Sequence, residues 1–221
     1  MKINNHRLAT EDPSEKIIQE TTTNKGGIIN SQFIIIHFTS GRDAESSVSW
    51  FKNPDAEASA HIVIGRDGKI FQLIDFNKRA WHAGISQWAH WNGLNNFSIG
   101  IELDNPGRLI KRGEKFYSWF EKEYPCTDVV ERIHKHEDQP SFWLSYTEKQ
   151  LESCMEVCKQ VLDKYPILDI LGHDDIAPFR KNDPGPMFPM ESFRAKLLGS
   201  QDDSGDIYKT TNDQVNIRKG A

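Results

Sequence analysis

The sequence predicts a mixed α/β (α+β) fold in which a central, mostly mixed β-sheet is flanked by helices. Short β-branched runs that are typical of buried strands alternate along the chain with amphipathic, helix-like segments. Since each strand and each amphipathic helix must bury an apolar face, this alternation indicates a sheet covered by helices. With 221 residues, the chain is long enough for one well-packed domain and a short appendage.

Strand-like runs occur at several places in the chain. Residues 33–37 form a β-branched apolar run, which predicts a strand buried on both faces. Residues 61–64 and 69–74 flank the turn Gly65-Arg66-Asp67-Gly68, and an Asp-Gly pair between two such runs indicates a hairpin. Two further strands are predicted at residues 98–103, which lead into a turn at residues 104–107, and at residues 170–172.

Helical patterns lie between these strands. Residues 43–52 predict a short helix, and residues 190–198 predict another one later in the chain. The clearest helix opens at Thr147, which would lie near its N-terminus, and Pro166 marks its end. Its apolar positions recur on one face with helical spacing: Leu151, Cys154, Val157, Cys158, Val161 and Leu162.

Two segments fit neither pattern. Residues 1–25 are polar, and we expect them to wrap around the core as an irregular arm ahead of a main domain at residues 26–198. Residues 108–145 are charged, aromatic and irregular, which indicates an insertion near the functional site. Their aromatic residues are too many for a solvated loop and too few for an independent core, so we expect a lid or wall rather than a separate domain.

The composition excludes several classes of protein. A formal net charge of −5 argues against a nucleic-acid partner, because phosphate binding needs clustered cations. No apolar run is long enough to span a membrane. The first residues lack an apolar core, so no secretory signal is visible and a cytoplasmic location is favoured, although a chain trimmed of its signal would look the same. The spacing of Cys154 and Cys158 favours core packing over a disulfide.

Three residues that commonly bind metals lie at the ends of buried elements. His37 closes the first apolar strand, His173 follows the last one, and Asp183 lies in the polar loop after it. Two imidazoles and one carboxylate would leave the fourth position open on a zinc ion, as hydrolytic catalysis requires. The ion would lower the pKa of a bound water to about 7. A single histidine after a strand is more often a packed, hydrogen-bonded residue, and spacing alone does not show that the two histidines meet.

Two further residues have the chemistry that such a hydrolase needs. Glu102 is a carboxylate within an otherwise apolar run, where burial would raise its pKa and suit it to act as a general base. The alternative is an outward-facing residue, because strands alternate faces. Lys181 shortly precedes Asp183, so an extended loop would place both near one site, where a cation could stabilise an oxyanion. The alternative for Lys181 is a solvated surface lysine.

Three motifs give the sequence a specific resemblance. FNKRAWHAGIS at residues 76–86, FSIGIEL at residues 97–103 and GHDDIAPFRKNDPGP at residues 172–186 resemble the AmpD-type branch of the amidase-2 family. This family also includes phage amidase lysozymes and animal peptidoglycan recognition proteins. The resemblance extends over about residues 28–198, and motifs of this length in this order are specific to the family.

The resemblance implies a zinc-dependent hydrolase. It assigns Zn²⁺ to His37, His173 and Asp183. It makes Glu102 the base that acts on water and Lys181 the group that steadies the tetrahedral intermediate. The bond cut by the family is the amide between the lactyl group of N-acetylmuramic acid and L-alanine, so peptidoglycan fragments or polymer are the implied partners. Three further residues are placed along a groove for muramyl peptide: His61, Trp81 and His82.

Two other functions fit parts of the sequence. A non-catalytic peptidoglycan-binding module would have the same fold, but such members lose a zinc ligand, whereas this chain keeps the complete set. A zinc peptidase that cuts within the stem peptide would need different surroundings for the metal, and no H-E-x-x-H helix is present. The long link at residues 104–145 departs from the AmpD pattern and leaves open whether the substrate is a small anhydro-muropeptide or polymeric wall. Within this link, we expect His134 and His136 to be surface residues rather than a second metal site.

The C-terminal end has a different composition. Residues 199–206 are polar and predict a linker. Residues 207–221 alternate in polarity, and the run VNIRKG at residues 215–220 is similar to the opening of bacterial src-homology-3-like barrels, which bind cell-wall peptides. We therefore expect the start of a truncated wall-binding domain there, and the alternative is a disordered tail.

Overall fold

The computed structural model describes residues 1–12 and 16–199 of the chain. The helices are α1 (Ala44–Lys52), α2 (Glu148–Lys164), α3 (His173–Ile176) and α4 (Met190–Leu198). The predicted linker beyond Gly199 and the predicted wall-binding segment at residues 207–221 lie outside the described residues. The strands, numbered in chain order, are β1 (Lys2–Asn4), β2 (Arg7–Ala9), β3 (Ile17–Gln19), β4 (Phe33–Phe38), β5 (Ile62–Ile64), β6 (Ile70–Gln72), β7 (Gln87–Trp88), β8 (Trp91–Asn92), β9 (Ser98–Leu103), β10 (Arg108–Arg112), β11 (Lys115–Tyr117), β12 (Glu123–Tyr124), β13 (Val129–Ile133), β14 (Pro140–Leu144) and β15 (Asp169–Gly172).

Among these residues, a six-stranded sheet with the order β15-β4-β9-β5-β6-β3 forms the centre of the fold. β4 lies between β15 and β9 and is parallel to both, and β5 is parallel to β9. β6 runs antiparallel to β5, as the predicted hairpin requires, and β3 adds to the far edge parallel to β6. The predicted mixed sheet is therefore confirmed, and the carboxyl ends of β15, β4 and β9 meet at one edge.

Both faces of this sheet are covered, because successive side chains of a strand point to opposite sides. Ile34 and Ile36 of β4 pack with the buried face of α2, which includes Cys154. Phe33 and Ile35 point the other way and pack with residues of α3 and of the loop before β9. Full burial of each such side chain contributes about 1.5–3 kcal/mol, so β4 is fixed at the centre of the core.

The two longer predicted helices begin and end where their sequence signals indicate. The hydroxyl of Thr147 accepts a hydrogen bond from the N–H of Gln150, whose side chain accepts the N–H of Thr147 in return, which caps α2. The helix ends just before Pro166. Asp43 caps α1 in the same way through Ser46. Among the described residues, no helix combines the length and the apolar character that crossing a bilayer would require.

The N-terminal arm is more regular than its composition predicts. β1 and β2 pair as an antiparallel hairpin, and β3 extends the central sheet. Leu8 is buried in the main core, and its N–H donates to the side chain of Gln72 over 2.6 Å. The irregular arm was the wrong expectation because each of these strands is only three residues long, too short to show an alternating apolar pattern in the sequence, yet Ile3 and Ile17 pack against the main core.

Residues 108–145 form a second, antiparallel sheet, which corrects the expectation of an irregular segment. Its strands lie in the order β12-β11-β10-β14-β13, and we call it the insertion sheet. A small apolar cluster of Leu109, Tyr124 and Leu144 holds these strands together. The strands are only 2 to 5 residues long and carry many exposed charged residues, which conceals their alternation in the sequence.

Candidate metal centre

The carboxyl edge of the central sheet brings several chemically active residues together. In the parallel register, His37 on β4 lies beside Glu102 on β9, and Gly172 at the end of β15 lies beside Ile36. His173 follows Gly172 directly at the start of α3, next to His37. The carboxyl ends of parallel strands are where open α/β sheets ordinarily hold their sites.

The side chains of His37, His173 and Asp183 converge on one point. The two Nδ1 atoms are 3.0 Å apart, and Oδ2 of Asp183 lies 2.8 Å from Nδ1 of His37 and 2.9 Å from Nδ1 of His173. All three side chains are buried. Across residues 1–12 and 16–199, they are the one group of histidine, cysteine or carboxylate side chains that is arranged to hold a metal ion.

The tautomer of His173 follows from the hydrogen-bond partner of Nε2, the ring nitrogen that faces away from Asp183. Its Nε2 lies 3.1 Å from the carbonyl oxygen of Ala83, which only accepts hydrogen bonds. The Nε2–H of a neutral imidazole therefore donates to Ala83, and Nδ1 is left with a lone pair. This lone pair points to the carboxylate of Asp183.

His37 is oriented by a buried relay through His82 and Ser98. The Ser98 hydroxyl donates to the carbonyl of Leu94 over 2.6 Å, so its oxygen accepts the Nε2–H of His82 over 3.3 Å. Nδ1 of His82 then accepts the Nε2–H of His37 over 2.9 Å. His37 therefore also turns a lone pair, on Nδ1, toward Asp183.

With both imidazoles in these tautomers and neutral, three acceptor atoms face one another. Burial lowers the pKa of His37 to about 4, and the neighbouring His173 acts in the same direction, so the imidazole of His37 is neutral near pH 7. Two nitrogen lone pairs and a carboxylate oxygen at this separation repel one another unless a cation lies among them. Two imidazoles and one carboxylate are also a donor set that metal ions accept in proteins, so the residues fit a metal ion.

Glu102 borders this centre with an acceptor atom that has no partner. The side chain is 8% exposed, and its Oε2 is buried without a hydrogen bond. Burial raises the pKa of Glu102 to about 8, with Asp183 acting in the same direction and Lys181 against it. A carboxyl group whose pKa lies near neutrality and whose oxygen is unpartnered has the properties of a general base.

The centre opens into a cavity of about 860 Å³. Glu102, Lys181, Trp81 and His82 line it together with the three candidate ligands. Lys181 is half-buried, and its charge lowers the pKa of Glu102, so the cation and the carboxylate face the same space. The structure therefore brings the proposed ligands, base and cation to one cavity.

His61 lies in a different place from the one expected. The side chain is fully buried: its Nε2–H donates to the carbonyl of Lys78 over 2.8 Å, and its Nδ1 accepts the N–H of Gly100 over 3.0 Å. Both ring nitrogens are therefore used to join β9 to the loop after β6, and His61 is outside the cavity lining. Its expected position along the groove is wrong.

His82 borders the cavity, but both of its ring nitrogens are engaged inside the protein, by His37 and Ser98. The ring lies against the backbone of β9, where a Cβ at Gly100 would come within 2.5 Å of it. A glycine in the middle of a strand often marks such a close approach. Gly100 is therefore the sequence signal that indicates the supporting position of His82.

Loops of the insertion sheet line one wall of the cavity, where the aromatic residues of segment 108–145 predict a lid or wall. Trp119, His134, His136 and Glu137 all line this wall. His134 is 2% exposed, contrary to the surface position expected, and its Nε2–H donates to the carboxylate of Asp174 over 2.9 Å. The residue that could have indicated the burial of His134 is Asp174, a carboxylate that directly follows the candidate ligand His173 in the sequence. A buried carboxylate needs a hydrogen-bonding partner.

The fold and the site together define a hydrolytic enzyme of the amidase class. The chain belongs to the amidase-2 family, whose model, described as N-acetylmuramoyl-L-alanine amidase, matches residues 29–186. The resemblance seen in the three sequence motifs is therefore confirmed.

Curated relatives bear the same description. The 1,6-anhydro-N-acetylmuramyl-L-alanine amidase AmpD of Escherichia coli K12 is 35% identical over 159 residues, which are 71% of this chain and 68% of AmpD. The N-acetylmuramoyl-L-alanine amidase AmiD of the same strain is 31% identical over 180 residues, which are 77% of this chain and 55% of AmiD.

Solved structures share the fold. A selenomethionine derivative of AmpD has a TM-score of 0.64 at 27% identity, and the match covers 89% of this chain and 99% of that one. AmiD from E. coli, in complex with the substrate anhydro-N-acetylmuramic acid-L-Ala-D-γ-Glu-L-Lys, has a TM-score of 0.58 at 27% identity and covers 77% of this chain and 58% of that one. The predicted fold class is therefore confirmed by relatives as well as by the sheet itself.

Proposed function

We propose that this chain is a zinc-dependent N-acetylmuramoyl-L-alanine amidase, which hydrolyses the amide between N-acetylmuramic acid and L-alanine in peptidoglycan or in muropeptides. One observation carries the proposal: two histidine nitrogens and a carboxylate oxygen meet within 3.0 Å of one another, beside an unpartnered glutamate and in a cavity. Hydrolytic zinc sites use three protein ligands of this kind and keep one position open.

His37 and His173 would hold the zinc through Nδ1, and Asp183 through Oδ2. When bound, zinc supplies Lewis acidity, which lowers the pKa of water to about 7. The hydrogen bonds from the outer nitrogens to His82 and to the carbonyl of Ala83 keep both imidazoles in the ligating tautomer.

Glu102 would transfer the proton, and Lys181 would stabilise the negative charge that develops in the reaction. Glu102 accepts a proton from the water whose oxygen attacks the carbonyl carbon, and it passes a proton to the alanine nitrogen as the carbon–nitrogen bond breaks. Lys181 stabilises the negative charge that develops on the carbonyl oxygen. One water is consumed, and the products are a lactyl carboxylate on the sugar and a free amine on the peptide.

The relatives support a muramyl peptide as the substrate. AmpD is named for 1,6-anhydro-N-acetylmuramyl-L-alanine, and the AmiD complex contains an anhydro-muramyl tripeptide. We infer the same class of substrate for this chain, with Trp81 and His82 at the border of the cavity that would receive it. Anhydro-muropeptides and polymeric peptidoglycan contain the same amide, so both are used in the experiment.

The experiment combines elemental analysis with mass spectrometry of the products. The wild type should contain one zinc per chain and release stem peptides with an N-terminal L-alanine from anhydro-muramyl tripeptide, from sacculi, or from both. His173→Ala should lose metal and activity together, whereas His90→Ala, at an exposed histidine outside the cavity lining, should keep both. Full zinc occupancy in His173→Ala, or cleavage within the stem peptide, would overturn the proposal.

A further inference from the structure

The loop between β13 and β14 of the insertion sheet, together with the end of β14 and Tyr146, contacts residues 173–185. This range carries two of the three candidate ligands, and we call it the ligand segment. The Nε2–H of His134, just after β13, donates to Asp174 over 2.9 Å, and the N–H of His136 donates to Nδ1 of His134 over 3.3 Å. The side chains of His134 and Asp174 are 2% and 4% exposed. Lys135 lies 2.8 Å from the other carboxylate oxygen of Asp174. The contact is therefore a buried, charge-compensated one.

Asp174 transmits this contact to both candidate ligands of the segment. It directly follows His173, and its N–H donates to the carbonyl of Asp183 over 2.8 Å. Its own carbonyl accepts the Nε2–H of His136 over 2.9 Å. One buried residue therefore joins the insertion to the backbone of both ligands.

The backbone after Asp183 lies against the end of the insertion. The hydroxyl of Tyr146, which follows β14, donates to the carbonyl of Pro184 over 2.7 Å. Gly185 lies so close to the ring of Trp143 in β14 that a Cβ would come within 3.0 Å of it, and its φ of +73° also favours glycine. The chain around Asp183 is therefore fixed from the insertion side at two successive residues.

We propose that His134 and Tyr146 are positioning residues for the metal centre, so that the insertion controls the affinity of the chain for zinc. The inference rests on the proposed zinc site. Ligands that are already in place lose little conformational freedom on binding, whereas a loose ligand segment would have to be ordered at the expense of affinity. Loss of the groups that orient metal ligands typically lowers metal affinity about 10–100-fold.

Tyr146→Phe tests the proposal with a small change. The variant loses one hydroxyl and keeps the ring, which packs edge-on against Phe188. Zinc affinity is measured on the full chain by competition with a chelator, and we expect it to fall about 10-fold or more. Activity lost at limiting zinc should return at saturating zinc, because Tyr146 is outside the cavity lining.

Tyr165→Phe is the matched control. Its hydroxyl also makes one side-chain hydrogen bond, 2.7 Å from Nδ1 of His6, and neither residue lines the cavity. This variant should have a lower unfolding temperature and an unchanged zinc affinity. His134→Leu is a second test: it removes the bond to Asp174 while Lys135 still pairs with that carboxylate, and it should also weaken zinc binding.

Wild-type zinc affinity in Tyr146→Phe and in His134→Leu would overturn the proposal. An equal fall in Tyr165→Phe would do the same, because it would indicate a general loss of stability. Should Tyr146→Phe fail to fold, His134→Leu decides the matter. Other results would overturn the proposed function. A wild type that binds no zinc would overturn both proposals, and a His173→Ala variant that keeps its zinc would overturn the proposed zinc site.

Discussion

Glu102 and Asp104 lie close together on the chain, at the end of β9, yet their carboxyl groups have different surroundings. Burial raises the pKa of Glu102 to about 8 and that of Asp104 to about 6. Glu102 lines the cavity, whereas Asp104 is outside the lining and lies among charged residues of both signs. We therefore expect Glu102 to affect catalysis and Asp104 to affect how stability depends on pH.

Replacing Glu102 with glutamine should remove most of the activity and leave the zinc content and the fold intact. The amide keeps the shape of the side chain but cannot accept a proton from water, and loss of a general base costs about 10²–10⁴-fold in rate. Turnover and zinc per chain are measured on the same preparation. Turnover close to that of the wild type would mean that the base is another residue.

Asp104→Asn should stabilise the fold at neutral pH. The pKa of Asp104 is raised from 3.8 to about 6, first by burial and also by Asp43 and Glu45, against the attraction of Arg66 and Lys122. Because the folded chain binds this proton more tightly than the unfolded chain, the wild type gains stability as the pH falls from about 6 to about 4. Above that range the buried charge costs at most about 3 kcal/mol, which asparagine would remove.

The free energy of unfolding in urea, measured for both proteins at pH 7.5 and at pH 4, checks this prediction. The advantage of Asp104→Asn should be present at pH 7.5 and should be almost lost at pH 4, where the wild-type carboxyl is protonated in the folded chain. An advantage of the same size at both pH values would contradict the mechanism, as would a less stable variant at pH 7.5.

At the scale of elements, a strand or helix can be predicted where its own residues carry the pattern. β4 and β9 lie inside the sheet and are apolar on both faces, and α2 has both a capping residue and an apolar stripe. His37 and His173 could be proposed as ligands for the same reason, because each is a polar residue that directly follows buried strand positions. These strands, this helix and these two ligands could be predicted because the residues that determine them are close together in the sequence.

The N-terminal strands and the insertion sheet could not be predicted in this way. Their strands are short and partly exposed, and they depend on partners far along the chain, as β3 depends on β6 and β10 on β14. Nothing within residues 17–19 specifies that pairing. The burial of His61 and His134 was missed for the same reason, since the groups that accept their ring protons are distant in sequence.

Trp119 tests the part that the insertion plays in the cavity wall. Its side chain is 64% exposed, and its Nε1–H donates to the carbonyl of Ser40 over 2.8 Å, which holds the ring at the cavity. Trp119→Ala should raise KM for anhydro-muramyl tripeptide about 5–30-fold, because losing an aromatic anchor of this kind costs about 1–2 kcal/mol of binding. The value of kcat and the zinc content should change little.

Ile110→Ala is the control for Trp119→Ala. Ile110 belongs to the same sheet and is 46% exposed, but it lies outside the cavity lining. The KM of Ile110→Ala for anhydro-muramyl tripeptide should equal that of the wild type. A similar rise in KM for both variants, or a loss of zinc in Trp119→Ala, would show that the insertion acts on the cavity through stability rather than through contact with substrate.

At the scale of the whole molecule, the proposed catalytic residues all fall within the family match at residues 29–186. Deleting residues 200–221 should therefore leave zinc content and the rate on anhydro-muramyl tripeptide unchanged. If that segment belongs to a wall-binding domain, the deletion should slow the digestion of sacculi, because tethering raises the local concentration of enzyme at the polymer. Initial rates on the tripeptide and on sacculi are measured for both proteins. A large loss of activity on the tripeptide would mean that residues 200–221 belong to the catalytic fold.

The pairing of β15 with β4 has a consequence for the timing of activity. A ribosome releases His37 first, whereas His173 and Asp183 follow 136 and 146 residues later. Until then the nascent chain offers one of the three ligands, and the edge of β4 that will receive β15 is uncovered. Strands so distant along the chain pair slowly, so we expect the three candidate ligands to meet only after β15 and the loop that carries Asp183 have left the ribosome.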